Sequence, residues 1–235
     1  MRLEGIEGRV AFVTGAARGI GRCIAETLRD QKARVAGGDL QAPELDGVLG
    51  VAVDVADEEA VDGAFAEVEA GLGPVDLLVL NAGIFVIEPF EETTLASWRQ
   101  TLDVNLTGAF LCARRALPGM RQRGFGRVVA IGSSAGKTGG AKSVAAYGAS
   151  KAGIMAMAKS IASEYAGTGV TANALAPALI DTEMVAAMPD MREKIPLGRF
   201  GTPQEVADVV AFLCSDHSSF ITGEVVDVNG GFLID

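Results

Sequence analysis

Seven short apolar runs alternate with segments of helical periodicity along this chain, and that alternation restricts the fold more than any other feature. The first run, Val10-Ala11-Phe12-Val13, stops at Thr14-Gly15. The others lie at Arg34 to Gly37, Gly50 to Val53, Val75 to Leu80, Arg127 to Ile131, Val170 to Leu175 and Glu224 to Val228. Short runs of this kind suit strands covered on both faces, as in a parallel sheet. Between them, apolar residues recur at helical spacing over Gly19 to Asp30, Glu58 to Leu72, Leu95 to Gln122, Ala146 to Ala166 and Pro203 to Cys214. Strand–helix alternation implies right-handed crossovers and one doubly wound α/β domain, a seven-stranded parallel sheet flanked by helices. Only residues 41–50 separate the second and third runs, so a turn or a single short helix is predicted there. No repeat, low-complexity tract or linker divides residues 1–235.

Charge and composition narrow the partners. The formal net charge is −10, which disfavours nucleic acid and anionic membrane. The densest basic stretch, Arg121, Arg123 and Arg127 with Arg114 and Arg115 before it, reads as a solvated helix end. Cys23, Cys112 and Cys214 are scattered and read as small apolar fillers in a reducing compartment. A single histidine, His217, lies in a polar turn; with no ligand cluster in view, no metal is expected. The first residues have no apolar signal core and no stretch is long enough to span a bilayer, so a cytoplasmic protein is expected.

The segment Thr14-Gly15-Ala16-Ala17-Arg18-Gly19-Ile20-Gly21 joins the first strand to the first helix. Glycines there permit a tight turn and let backbone N–H groups approach phosphate, at the positive end of a helix. In that context the loop predicts a Rossmann-type dinucleotide site. Asp39, eighteen residues beyond Gly21, ends the second strand. Its carboxylate suits the adenosine ribose hydroxyls and repels a 2′-phosphate, so NAD is favoured over NADP. Leu40 offers no compensating cation, and Arg18, in the loop, is the dissenting residue.

With these features in place the chain resembles the short-chain dehydrogenase/reductase family over essentially its whole length. The resemblance rests on the Thr-Gly-x3-Gly-x-Gly loop, Asp54-Val55, Asn81-Ala82-Gly83, Asn105, Ser133, Tyr147-x3-Lys151, the Pro177 loop, Ile221-Thr222-Gly223 and Val228-Asn229-Gly230-Gly231. It implies that Asp54 and Val55 contact adenine and that Asn81, Ala82 and Gly83 line the cofactor. It implies that Lys151 binds the nicotinamide ribose, and that Ile180 and Thr182 contact the carboxamide. It implies that Asn105 distorts its helix and holds a water linking Lys151 to solvent. Where the family usually has Pro-Gly, this chain has Pro177-Ala178.

The chemistry of the pair can also be read directly. Tyr147 and Lys151 are four residues apart on a predicted helix and share a face. A nearby ammonium is expected to lower the tyrosine pKa, letting it exchange a proton with a substrate hydroxyl or carbonyl. A second donor is expected to orient the substrate oxygen. The family's usual spacing to the tyrosine would select Ser134; counting from the strand start and from Asn105 selects Ser133, which is preferred.

The resulting expectation is an NAD-dependent oxidoreductase acting on a secondary alcohol or ketone, with a substrate cover at about residues 183–200. Met184, Val185, Met188, Met191 and Ile195 make that cover apolar, and Ile84, Phe85, Val86 and Ile87 form the opposite wall. A 3-oxoacyl-[acyl-carrier-protein] or 3-oxoacyl-CoA reductase is the alternative. Against it stand Asp39, the net charge, and Gly124 and Thr168 where the resemblance would place carrier-docking arginines. A nucleotide sensor without turnover is the rival from another class; Tyr147 and Lys151 argue against it. The apolar Tyr147 helix predicts a homodimer or homotetramer.

Overall fold

The computed structural model of the protein describes residues 3–140, 142–186 and 190–234. Its sheet has seven parallel strands in the order β3-β2-β1-β4-β5-β6-β7. They are β1 (Val10–Thr14), β2 (Arg34–Asp39), β3 (Val48–Ala52), β4 (Leu77–Leu80), β5 (Gly126–Ile131), β6 (Val170–Pro177) and β7 (Val225–Val228). The helices are α1 (Gly19–Asp30), α2 (Glu58–Leu72), α3 (Leu95–Leu102), α4 (Gly108–Arg123), α5 (Ser134–Thr138), α6 (Ala145–Glu164), α7 (Glu183–Ala186) and α8 (Pro203–Cys214).

Because side chains alternate along each strand, every central strand feeds two cores. Phe12 and Leu78 point to the layer of α2, α4 and α6, where Phe12 meets Phe65 edge to face at 5.1 Å. Ala11, Val13 and Val79 point to the opposite layer, where Ile24 and Leu28 of α1 join Val206 and Val210 of α8. Burial on both sides is why these strands read as continuous apolar runs. Strand order reverses between β1 and β4, and crevices at such switch points, beyond the carboxyl ends of the strands, are where doubly wound sheets bind ligands.

Three features that the structure sharpens have local causes. Residues 40–47 cross from β2 to β3 as a turn without a helix, one of the two forms expected there: the Pro43 carbonyl lies so close to Gly50 that a Cβ there would sit 2.3 Å from it. The long helix expected from Leu95 to Gln122 is interrupted by a π-turn at Asp103–Thr107. The run from Val75 becomes a strand only at Leu77, since Asp76 accepts from the Val10 amide and faces Arg9 and Arg123. The basic stretch is also paired rather than simply solvated. Arg115 bonds Glu69, Arg123 bonds the Val75 carbonyl, and Arg127 is a 5 % exposed strand residue facing Asp216. His217 is exposed; Cys112 and Cys214 are buried, which pushes both thiols up to about 12. Among the described residues, no helix is long and apolar enough to cross a membrane.

Candidate active site

The glycine loop leaves β1 at the switch point and folds back onto α1. Gly15 has φ 68°, a left-handed conformation that favours glycine, and a Cβ there would lie 2.8 Å from Ala82 Cα. A Cβ on Gly21 would lie 2.0 Å from the Gly15 carbonyl oxygen, so any other residue would push the turn off its helix. Thr14, which the sequence reading passed over, fastens this loop to the next one. Its hydroxyl accepts from the amides of Asn81 at 3.0 Å and Ala82 at 3.1 Å. The Asn81 side chain donates in return to the carbonyls of Thr14 at 2.9 Å and Gly15 at 3.0 Å. Small residues and backbone thus surround a slot at the N-terminus of α1, the arrangement that accepts a diphosphate.

The other residues expected at the cofactor border the same edge. Asp39 accepts from the Ala17 amide at 3.0 Å and from Leu40 at 2.8 Å, which fixes its carboxylate beside the loop. Arg18 bonds Glu183 at 3.1 Å, and both side chains are largely exposed. Asp54 is exposed and accepts from Ala56, while Val55 is buried against Gly108. Ile20 is half-buried and packs on the α1–α8 core. Pro177 ends β6, the Ala178 amide donates to Val228, and Ile180 is buried. Ala178 does not have a positive φ, so the missing glycine costs the loop no strain. Thr182 approaches Gly19, where a Cβ would sit 3.8 Å from its methyl.

Helix α6 carries Tyr147 and Lys151 beside this edge. The Ser133 side chain stands close enough to the Tyr147 hydroxyl to pull its pKa down. Ser133 is also the N-cap of α5, accepting from Ala135 at 3.1 Å, whereas Ser134 is buried as the first residue of that short helix. Phe85 packs edge-on against the Tyr147 ring at 4.8 Å. Lys151 Nζ donates to the Ile131 carbonyl at 2.7 Å and lies 5.7 Å from the centre of the Tyr147 ring. Asn105 sits in the π-turn, fully buried, and Gly83 lies between it and Lys151.

Electrostatics here differ from the sequence expectation. Burial raises the Tyr147 pKa, and only the Ser133 hydrogen bond pulls it down. No pull from the ammonium adds to it; Lys151 donates to a backbone carbonyl and is itself deeply buried. Desolvation lowers Lys151 from 10.5 to about 8. Of the proposed cover, α7 and a 3₁₀ turn at Arg192–Lys194 are seen, and Ile195 is buried. Met188 and the Met184 side chain lie outside the described residues.

A doubly wound sheet with a glycine loop at its switch point and a Ser–Tyr–Lys cluster alongside defines an oxidoreductase of the nicotinamide-cofactor class. The chain belongs to the short-chain dehydrogenase/reductase family: a family model described as Enoyl-(Acyl carrier protein) reductase matches residues 15–233. The chain is 40% identical to a 3-oxoacyl-[acyl-carrier-protein] reductase of Aquifex aeolicus, over 96% of this chain and 98% of that one. It is 43% identical to an acetoacetyl-CoA reductase of Rhizobium meliloti, over 95% and 98%. Among solved structures, a 3-ketoacyl-(acyl-carrier-protein) reductase from Brucella melitensis complexed with NADH superposes with a TM-score of 0.92. That match has 30% identity and covers 98% of this chain and 100% of the other. These relatives fit the 3-oxoacyl alternative better than the general alcohol–ketone reading that the sequence favoured.

Proposed function

We propose that this chain is an NAD(H)-dependent reductase of 3-oxoacyl thioesters, acting on coenzyme A esters such as acetoacetyl-CoA. The observation that carries this reading is the cluster of Ser133, Tyr147 and Lys151 on one edge of the sheet, in a chain 40% and 43% identical to two 3-oxoacyl thioester reductases. The sequence arguments against that class do not touch the acyl group. Asp39 bears on the cofactor, and Gly124 and Thr168 bear on an acidic carrier protein. Without those arginines the chain has less with which to hold an acidic carrier, and the coenzyme A ester is the form that does not need them.

The residues present fit a nicotinamide dinucleotide. Gly15, Gly19, Gly21 and Ile20 would hold its diphosphate, Asp39 its adenosine ribose, and Asp54 and Val55 its adenine. Asn81, Ala82, Gly83, Pro177, Ile180 and Thr182 would border the nicotinamide half. When bound, the cofactor supplies the hydride to the 3-oxo carbon. Ser133 and Tyr147 donate hydrogen bonds to the carbonyl oxygen, which orients it and stabilises the charge that builds there. Tyr147 delivers the proton to that oxygen, and Lys151 beside it would hold the nicotinamide ribose. Phe85, packed on the Tyr147 ring, closes one side of the cleft. The same reading pairs two copies along α4 and α6, where Phe110 (47 % exposed), Leu117, Met157 and Tyr165 leave an apolar groove.

The test is loss of NADH absorbance with acetoacetyl-CoA, the same acyl group on carrier protein, and a panel of sugar acids and cyclic ketones. Turnover is expected with the coenzyme A ester and to be weaker on the carrier. Turnover confined to the sugar acids or cyclic ketones would overturn the substrate class. Cofactor choice has its own check. Asp39→Ala removes a carboxylate that would face a 2′-phosphate, a like-charge contact costing several kcal/mol. At about 1.4 kcal/mol per decade, the NADPH-to-NADH ratio of kcat/KM is expected to rise about 100-fold. An unchanged ratio would remove Asp39 from the cofactor site.

A further inference from the structure

The buried polar groups behind Tyr147 form a closed network with one member that the reaction as described leaves without a part. The Asn105 side chain clamps the backbone of Ile84: its Oδ1 accepts from the Ile84 amide at 2.8 Å, and its Nδ2 donates to the Ile84 carbonyl at 3.0 Å. The accepted N–H fixes which way the amide points. The second Nδ2 hydrogen goes to Ser150 Oγ at 3.0 Å. Ser150 Oγ in turn donates to the Tyr147 carbonyl at 2.8 Å.

Ser150 is an odd residue for its position. The other buried residues of α6 are Gly148, Lys151 and apolar side chains. Ser150 is 0 % exposed in the middle of the helix. Alanine there would bury no hydroxyl and would favour the helix by a few tenths of a kcal/mol or more. A hydroxyl returned to a carbonyl three residues back also bends a helix slightly. The carbonyl it engages belongs to Tyr147 and, in an α-helix, also receives the Lys151 amide. Ser150 therefore grips the one turn that carries both groups and ties it to the π-turn and to the Ile84–Phe85 strand of chain, whose Phe85 leans on the Tyr147 ring.

We infer that Ser150 is a positioning residue, which through Asn105 and the Tyr147 carbonyl sets the Tyr147 hydroxyl and Lys151 ammonium against each other. This rests on the reading of Tyr147 as the proton donor. It does not depend on which carbonyl substrate the enzyme prefers, because any compound it turns over supplies the readout.

The experiment compares Ser150→Ala, Ser150→Cys and Tyr147→Phe in both directions. It follows kcat, NADH affinity by fluorescence, melting temperature, and the pH midpoint of the oxidative rate. Loss of registry is expected to lower kcat in Ser150→Ala about 10-fold, with NADH affinity unchanged. The oxidative midpoint moves to higher pH, since a phenol shifted away from Ser133 loses the one contact that pulls its pKa down. Ser150→Cys, similar in size with a weak donor, falls between the two. Ser150→Ala combined with Asn105→Ala costs less than the product of the single losses, because both act through one bond. Parental kcat and midpoint in Ser150→Ala, a kcat loss that only follows the melting temperature with no midpoint change, or multiplicative losses would each overturn the inference. If Tyr147→Phe keeps its turnover, the proton-donor reading falls and this inference with it. If Tyr147→Phe is inactive and Ser150→Ala is unaltered, this inference alone falls.

Discussion

Tyr147→Phe is expected to lower kcat by between about 10²- and 10⁴-fold in both directions, the range a positioned acid–base group contributes. NADH affinity is expected to stay within about 2-fold of the parent, because the hydroxyl serves the reacting oxygen rather than the diphosphate or adenosine contacts. The variant keeps the ring that packs against Phe85, so the fold should survive. The Ser133 hydroxyl still accepts from Ala135 as the N-cap of α5. Pre-steady-state and steady-state NADH oxidation give the two numbers needed. Parental kcat in the variant would take the proton from Tyr147. The pH dependence follows from the same group. In the oxidative direction the phenolate is the active form, and burial raises its pKa. Oxidation is therefore expected to climb with pH through the alkaline range, while reduction is lost there as the proton donor is consumed.

How much of this is legible in the sequence depends on whether the cause is local. The strand-to-helix glycine loop, Asp39 at the end of β2, and Tyr147 and Lys151 one turn apart are short-range patterns, and each lies where its spacing put it. Helix α1, α2 and α8 match their predicted limits because periodicity, capping and the next polar turn agree. The distortion of the long helix at Asn105 came from the resemblance and not from periodicity, because its cause is tertiary: Asn105 reaches across to the Ile84 backbone, which no window of sequence around residue 105 displays. Helix α5 has five residues, too few for any periodicity, yet it sets the two serines in different places. Its N-cap must have extended backbone and a free hydroxyl, and Ser133 meets that condition. Arg127 looked like part of a basic helix end, but it lies one residue into β5 and is buried. Thr14 and Ser150 were overlooked because isolated hydroxyls next to well-known motifs carry no pattern of their own. The signal that could have found Ser150 was its place beside Lys151 in an otherwise alanine-rich helix.

The site is also where the fold gives up stability, and Lys151 shows how. Its ordinary value of 10.5 falls to about 8 through desolvation alone. At about 1.36 kcal/mol per pKa unit, holding that ammonium in the interior costs the folded state about 3 kcal/mol at neutral pH. Methionine has a similar length and no charge. It forfeits the hydrogen bond to the Ile131 carbonyl, a loss of about 1–3 kcal/mol. Lys151→Met is therefore expected to be more stable than the parent by about 1 kcal/mol at pH 7, while its turnover falls by about 10²-fold or more. The sign of the pH dependence separates this from a general packing effect. Below about 8 both folded and unfolded lysine are protonated, so the penalty is present in full. Between about 8 and 10.5 the unfolded chain holds the proton that the folded chain has released, so parental stability rises with pH. The advantage of Lys151→Met should therefore vanish within about one pH unit above the lower end of that window and be reversed through the rest of it, leaving the lost hydrogen bond at the top. Urea midpoints at pH 7 and pH 10 measure it. A variant less stable at pH 7, with a gap that does not move with pH, would mean the ammonium is not paying a desolvation cost. An enzyme that needs a cation beside its proton donor must keep one out of water, and a few kcal/mol of stability is what that placement gives up.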